Sequence, residues 1–152
     1  MLSKKSKYAL KALIRLGENK RGPMLISDLA VQEAIPKKFL EIILLELKHH
    51  GVLQSKKGKG GGYSLSKSPN DISIGGVVRC IDGPLALIPC VSRTAYVKCE
   101  ECKDENTCGI RMVMQEVRDA TANILDRTTL ADMIRREHRA ARKFSQAGSG
   151  ED

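Results

Sequence analysis

A mainly α-helical fold with a small two-stranded wing, a winged helix-turn-helix followed by a long C-terminal dimerisation helix, is predicted by three features of this 152-residue chain. Short helical periodicities fill the stretch up to Gly51. A glycine-rich turn, "GKGGG", then separates two strand-like runs. Finally, a long apolar seam follows a cluster of cysteines.

From Ser3 to about Gly17, residues Ala9, Ala12, Leu13 and Leu16 share one helical face, and Lys4, Lys5, Lys7, Lys11 and Arg15 occupy the others. Gly22-Pro23 breaks this helix. Ser27 is expected to cap a short second helix through Ala34, with Leu29 and Ala30 inward. Pro36 suits the first turn of a third helix, whose buried side is Phe39, Leu40, Ile43, Leu44 and Leu47 and which Gly51 stops. Two short helices with a tight connection make a helix-turn-helix.

"VLQSKK", the "GKGGG" turn and "YSLSK" then read as the wing, with Val52, Leu53, Tyr63 and Leu65 as its apolar positions. Ser73 caps a linker helix with Ile74, Val77, Val78 and Ile81 on one side, ended by Gly83-Pro84. Beyond Cys108, residues Ile110, Val113, Val117, Ala120 and Ile124 are spaced 3, 4, 3, 4, a seam suited to a partner helix. Thr129 with Asp132 resembles a capping box opening a last helix, which carries Arg135, Arg136, Arg139, Arg142 and Lys143.

The expected organisation is a winged helix-turn-helix over residues 1–70 and a second region over 71–144. That second region holds the linker helix, a cysteine loop (90–108), a dimerisation helix (109–126) and the C-terminal helix, before a disordered tail over 145–152.

Apolar residues make up 41% of the chain, enough for one core. No run of about 18 apolar residues is present and the N-terminus is charged on a helical period, so the expectation is a cytoplasmic protein without membrane association. The net charge of +8 is unevenly placed. Residues 1–70 hold fourteen Lys and Arg against five acids, while 71–152 hold twelve against thirteen. The basic half suits a polyanion, most naturally nucleic acid. Enzymatic chemistry is not expected: of three histidines, His49 and His50 close a helix and His138 sits among arginines, so no catalytic triad presents itself.

In a helix-turn-helix the N-terminal residues of the second helix meet base edges. Here these are Lys37, Lys38 and Glu41; lysine donates to guanine and glutamate accepts from cytosine. Lys4 and Lys5 of the first helix, Ser27, and the wing residues Lys56, Lys57, Lys59, Gly60, Gly61 and Tyr63 are the candidates for holding the backbone. Glycines at the tip allow close approach to a phosphate, and lysines neutralise it. A nucleotide-binding P-loop is excluded, because Tyr63 follows Gly62 where lysine and a hydroxyl residue are required; a plain hairpin turn is the competing reading.

Cys90-x8-Cys99-x2-Cys102-x5-Cys108 lies in a polar segment carrying Glu100, Glu101, Asp104 and Glu105. In a reducing compartment such clusters are metal ligands or redox thiols more often than disulfides. Four thiolates suit an iron–sulfur cluster or a closed zinc site, and a metal-free Cys99–Cys102 disulfide switch is a third alternative. Cys80 reads as a small apolar residue of the linker helix.

The segments "SKKSKYALKALIRL", "KKGKGGGYSLSKSPNDISIGGVVRCIDGP" and "CGIRMVMQEVRDATANILDRTTLADM", around a loop of cysteines, resemble the Rrf-type winged-helix regulators, the family that includes IscR and NsrR. The likeness covers about residues 2–134; the triple-glycine wing and the threonine-leucine-alanine ending of the long helix are its most specific pieces. It implies a homodimeric transcription factor, often a repressor, on a near-palindromic operator in double-stranded DNA. It also implies three loop cysteines holding an iron–sulfur cluster in the sensing members, with a 2Fe-2S form favoured over 4Fe-4S.

Two departures stand out. Some relatives complete the cluster with a carboxylate where this chain has Lys7, and others with a histidine where it has Arg111. An extra cysteine, since Cys99 and Cys102 both stand near the middle ligand's place, allows an all-thiolate set. The alternative of a different class is a small iron–sulfur or zinc protein with no DNA-sensing role, which leaves the wing and the basic half unexplained.

Overall fold

Ser3 opens the first helix, its hydroxyl accepting from the Ser6 amide at 3.0 Å. The structure, a computed structural model, describes residues 1–148. Its elements are α1 (Lys4–Glu18), α2 (Ile26–Glu33), α3 (Lys37–His49), β1 (Leu53–Lys56), β2 (Gly62–Leu65), α4 (Ile74–Asp82), α5 (Gly109–Arg127) and α6 (Leu130–Ala147). Single 3₁₀ turns stand at Pro69–Asp71 and Pro89–Val91.

The core is built around α1. Ala9, Ala12 and Leu13 are fully buried and pack in one cluster with Leu40, Ile43, Leu44 and Leu47 of α3, Ile74, Val77 and Val78 of α4, and Leu130 of α6. A truncation such as Leu13→Ala inside such a cluster costs about 2–5 kcal/mol. The N-terminus of α6 is sewn into this core by backbone bonds: Ile74 donates to the Thr128 carbonyl and Leu130 to that of Ile72, at 2.9 and 2.8 Å. The capping box of Thr129 and Asp132 is present as the spacing predicts.

The entrance to α2 differs from the expectation. Leu25 is the N-cap residue, no side chain caps the helix, and Ser27 lies exposed inside the first turn. Met24 is held extended by backbone pairing with Tyr63, so the chain turns into the helix two residues before Ser27. At the other end Ala34 takes a left-handed conformation (φ 52°), and Lys11 of α1 donates to the Glu33 carbonyl at 2.7 Å, placing a cation at the negative end of the helix. Pro36 likewise proves to be the residue before α3 rather than part of its first turn.

α3 ends in a Schellman motif. Gly51 (φ 72°) donates to the Lys48 carbonyl and Val52 to that of Leu47, at 3.0 and 2.9 Å, which turns the chain directly into the wing. β1 and β2 pair antiparallel from Leu53–Leu65 to Lys56–Gly62, with a five-residue tip between them.

α5 buries none of its residues within the chain. Its seam lies open: Ile110, Val113, Val117 and Ile124 are 69%, 53%, 37% and 62% exposed. The last helix runs to Ala147, so residues 145–147 are helical where a disordered tail is expected; the remainder of that tail, 149–152, is outside the described residues. Among the described residues no helix is long and apolar enough to cross a membrane.

Candidate nucleic-acid interface and cysteine loop

A groove of about 310 Å³ opens between the start of α2, the first turns of α3 and the wing. Ser27, Lys37, Glu41, Lys56, Lys57 and Tyr63, scattered over 37 residues of sequence, all line it. Leu25, Ile26, Ser55 and Gly62 complete its walls. Three lysines against one glutamate give the groove a positive balance, suited to a phosphate backbone at its rim.

The wing tip is shaped for exposure. Gly58 and Gly60 have φ of 85° and 72° with open space around them, whereas a side chain on Gly61 would strike the Lys56 carbonyl at 2.3 Å. Lys57 and Lys59 project from this tip into solvent, and Lys38 is exposed on α3. Two first-helix candidates are engaged elsewhere in part. Lys4 lies 5.6 Å from the Tyr8 ring centre, and Tyr8 meets Phe39 edge-on at 5.6 Å, which braces α1 on α3.

Lys5 departs from its expected role. Its ammonium is ion-paired with Glu46 of α3, so it is neutralised by its own fold rather than left for a phosphate. Sequence periodicity places Lys5 outside the core and carries no information about which acid a neighbouring helix presents to it. Two apolar residues on the outer side of α3, Ile42 and Leu45, are 58% and 48% exposed, although aliphatic side chains in a helix with an apolar face are expected in the core.

The cysteine loop is only partly gathered. Cys90 sits on the Pro89–Val91 turn and is buried, Cys99 is exposed, and Cys102 and Cys108 are half-buried. The Cys99–Cys102 segment closes a turn through the Cys102 amide and the Cys99 carbonyl at 3.2 Å. Desolvation pushes the Cys102 thiol up, and the neighbouring Cys108 and Cys99 add to the shift. Cys108 is the N-cap of α5, its Sγ accepting from the Arg111 amide at 3.5 Å. Among the described residues no three metal-ligating side chains form a set that would hold an ion. The expected four-cysteine convergence is therefore not present in this conformation: Cys90 is buried on its own turn while Cys99 lies exposed to solvent.

What holds that turn is Arg118 of α5. It is largely buried, donates to the Val91 carbonyl beside Cys90, and is neutralised by Asp119, which also takes Arg93 at 3.0 Å. Farther along, Tyr96 donates to Glu105, and Glu105 lies 3.9 Å from Arg111. Both ends of the loop are thus moored on α5. Cys80 lies half-buried on α4, lining a separate cavity with His50, Lys67 and Asp71 rather than sitting in the core as expected, and desolvation raises its thiol.

Comparison with known proteins places this arrangement. Residues 2–136 match the Rrf2 family, described as iron-dependent transcriptional regulators. The chain is 45% identical over 146 residues to the rrf2-like HTH-type transcriptional regulator of Rhodobacter capsulatus, covering 93% of this chain and 97% of that one. It is 27% identical over 134 residues to IscR of Pectobacterium carotovorum, covering 88% and 78%. The fold matches that of CymR, the global cysteine regulator of B. subtilis, with a TM-score of 0.72, 27% identity and coverage of 88% and 95%. It also matches T. potens IscR with a TM-score of 0.73 over 92% and 90%, where 24% identity makes the likeness one of fold alone. The chain belongs to the Rrf2 family of transcriptional regulators.

Proposed function

We propose that this regulator binds a near-palindromic operator in double-stranded DNA as a homodimer, as a repressor, and that the cysteine loop adjusts its affinity. The observation that carries the reading is the groove between α2, α3 and the wing, into which Lys37 and Glu41 of α3 and Lys56 and Lys57 of the wing converge beside Ser27 of α2. Lys37, Lys38 and Glu41 at the start of α3 read base edges; Lys56, Lys57 and Lys59 hold phosphates around the exposed tip; Gly60, Gly61, Tyr63, Ser27 and Lys4 shape the contact. Lys5 drops out of this set because Glu46 already takes its charge. The open seam of α5 supports a second copy of the chain as its occupant, by the 3-4 spacing that packs one helix on another. A twofold pair presents two wings and two α3 helices, which matches a palindromic site.

The donor chemistry of Cys90, Cys99, Cys102 and Cys108 fits a soft, thiolate-bound iron–sulfur centre, which the loop would have to close around. Bound there, such a cluster supplies one-electron redox chemistry to the loop. The chain's own residues provide the transmission: Cys108 caps α5, Arg118 straps the Cys90 turn to α5, and Arg79 of α4 grips Asp126 near the end of the same helix. A loop that moves therefore moves against the helix carrying the seam. A coupling of about 1–3 kcal/mol between loop and operator would give roughly 5- to 150-fold regulation.

Operator binding measured across salt tests the interface. Lys57→Ala and Lys59→Ala are expected to weaken binding to all sequences and each to lower the salt slope by about 0.9. Lys38→Ala and Glu41→Gln are expected to relax discrimination at particular bases, by about 1–3 kcal/mol for a lost bidentate contact. Equal effects from the two groups would contradict the division. For the loop, an anaerobic visible spectrum with iron, sulfide and zinc analysis on wild type and on Cys90→Ala and Cys108→Ala decides the cofactor. Loss of colour and iron in the variants is expected; zinc in place of iron would identify a structural site instead.

A further inference from the structure

A second cavity, about 260 Å³ in volume, lies between the end of α4, the segment 84–94 and α5, and it belongs neither to the groove nor to the thiols. Arg79, Arg93 and Arg118 all reach it. Asp126 takes Arg79 through both oxygens, at 2.5 and 3.0 Å, and Asp119 takes Arg118 and Arg93. Three guanidinium groups against two carboxylates leave one positive charge uncompensated.

That charge is available at Arg93. Arg118 spends Nε and Nη2 on Asp119 and Nη1 on the Val91 carbonyl, whereas Arg93 gives only Nη2 to Asp119, at 3.0 Å. Of the five N–H donors of a guanidinium, Arg93 therefore keeps four. Ser92, 7% exposed, accepts from the Thr94 and Ala95 amides at 3.4 and 2.9 Å, which leaves its own hydroxyl hydrogen to donate. Leu85, Ala86 and Ala122 supply an apolar wall. A planar fork with one unbalanced charge, a buried hydroxyl donor and a short hydrocarbon wall describe a receptor for a carboxylate with a small aliphatic body.

We propose that this cavity binds a small organic monocarboxylate. Its volume is below the roughly 300–1,000 Å³ of drug-sized sites, which limits the ligand to a few carbons. At 3.6 residues per turn, Arg118, Ala122 and Asp126 lie on the side of α5 opposite Val113, Val117 and Ile124, so a second copy on the seam leaves the cavity open. The walls come from α4, from the segment that carries Cys90, and from α5, so an occupant would bear on the same strap that Arg118 makes.

The test is a titration of the full chain with butyrate at fixed ionic strength, followed by the backbone amide resonances of Ser92, Thr94 and Ala95, with butyramide and sulfate as controls. No DNA is present, so the outcome is independent of the operator-binding reading. Saturable shifts with butyrate, absent with butyramide and weaker with sulfate, are expected. Arg93→Ala removes a solvent-exposed side chain and should weaken the titration by about tenfold or more. Ala122→Leu, which fills the cavity without changing charge, should abolish it. Equal shifts from butyramide or sulfate, or wild-type titrations in both variants, would overturn the proposal.

Discussion

Met24 and Tyr63 exchange two backbone hydrogen bonds, the N–H of each to the carbonyl of the other, both at 2.8 Å. This pairing makes the segment before α2 a third member of the wing and fixes the groove's floor, since α2 begins only two residues later. It depends on Gly62, whose φ is 134° and where a Cβ would lie 2.2 Å from the Met24 carbonyl oxygen.

Gly62→Ala is therefore expected to cost at least about 1–3 kcal/mol from backbone strain and to weaken operator binding by splaying the wing from α2. Gly60→Ala, also at positive φ but in open space, should cost only about 1 kcal/mol. Urea unfolding midpoints compare the two, and equal midpoints would show that the Met24 contact does not constrain the wing.

Arg118→Ala should release the Cys90 turn. In the metal-free wild type, thiol labelling should reach the exposed Cys99 first and the buried Cys90 late. Removal of a charge-assisted bond to the Val91 carbonyl, about 1.5–3 kcal/mol, should accelerate Cys90 labelling by about tenfold or more while leaving Cys99 unchanged. Mass spectrometry of quenched samples reads both sites.

The Arg79 guanidinium holds the Asp126 carboxyl below the usual carboxylate range through their hydrogen bonds. A carboxylate with a depressed folded-state pKa stabilises the fold above its unfolded value, near 3.9, and that contribution disappears as pH falls through the folded value. The denaturant midpoint of Asp126→Asn should therefore lie below wild type at neutral pH, and the gap should close as pH drops below about 4. A gap constant across that range would mean the pair contributes no pH-dependent stability.

Val113→Glu and Val117→Glu place charges in the open seam of α5 without disturbing any buried contact, because both side chains are exposed within the chain. Sedimentation velocity should show a dimer for wild type and a monomer for each variant, with the circular dichroism spectrum retained. A wild-type monomer would remove the twofold arrangement on which palindromic recognition rests.

The helix order, the stop at Gly51, the caps at Ser73 and Thr129, and the glycine-lysine tip are legible in the sequence, because each depends on residues within one or two turns of one another. Ser27 was misread as a cap for the opposite reason: the pairing that ends the preceding segment comes from Tyr63, 36 residues away in sequence. Glu46 meeting Lys5, Arg118 seizing the Val91 carbonyl, and the arginine cavity beside α5 left no trace in local spacing. Hydrophobic period and cap chemistry are short-range properties of the chain, whereas the pairing of one charge with another is settled only when packed helices bring distant side chains into contact.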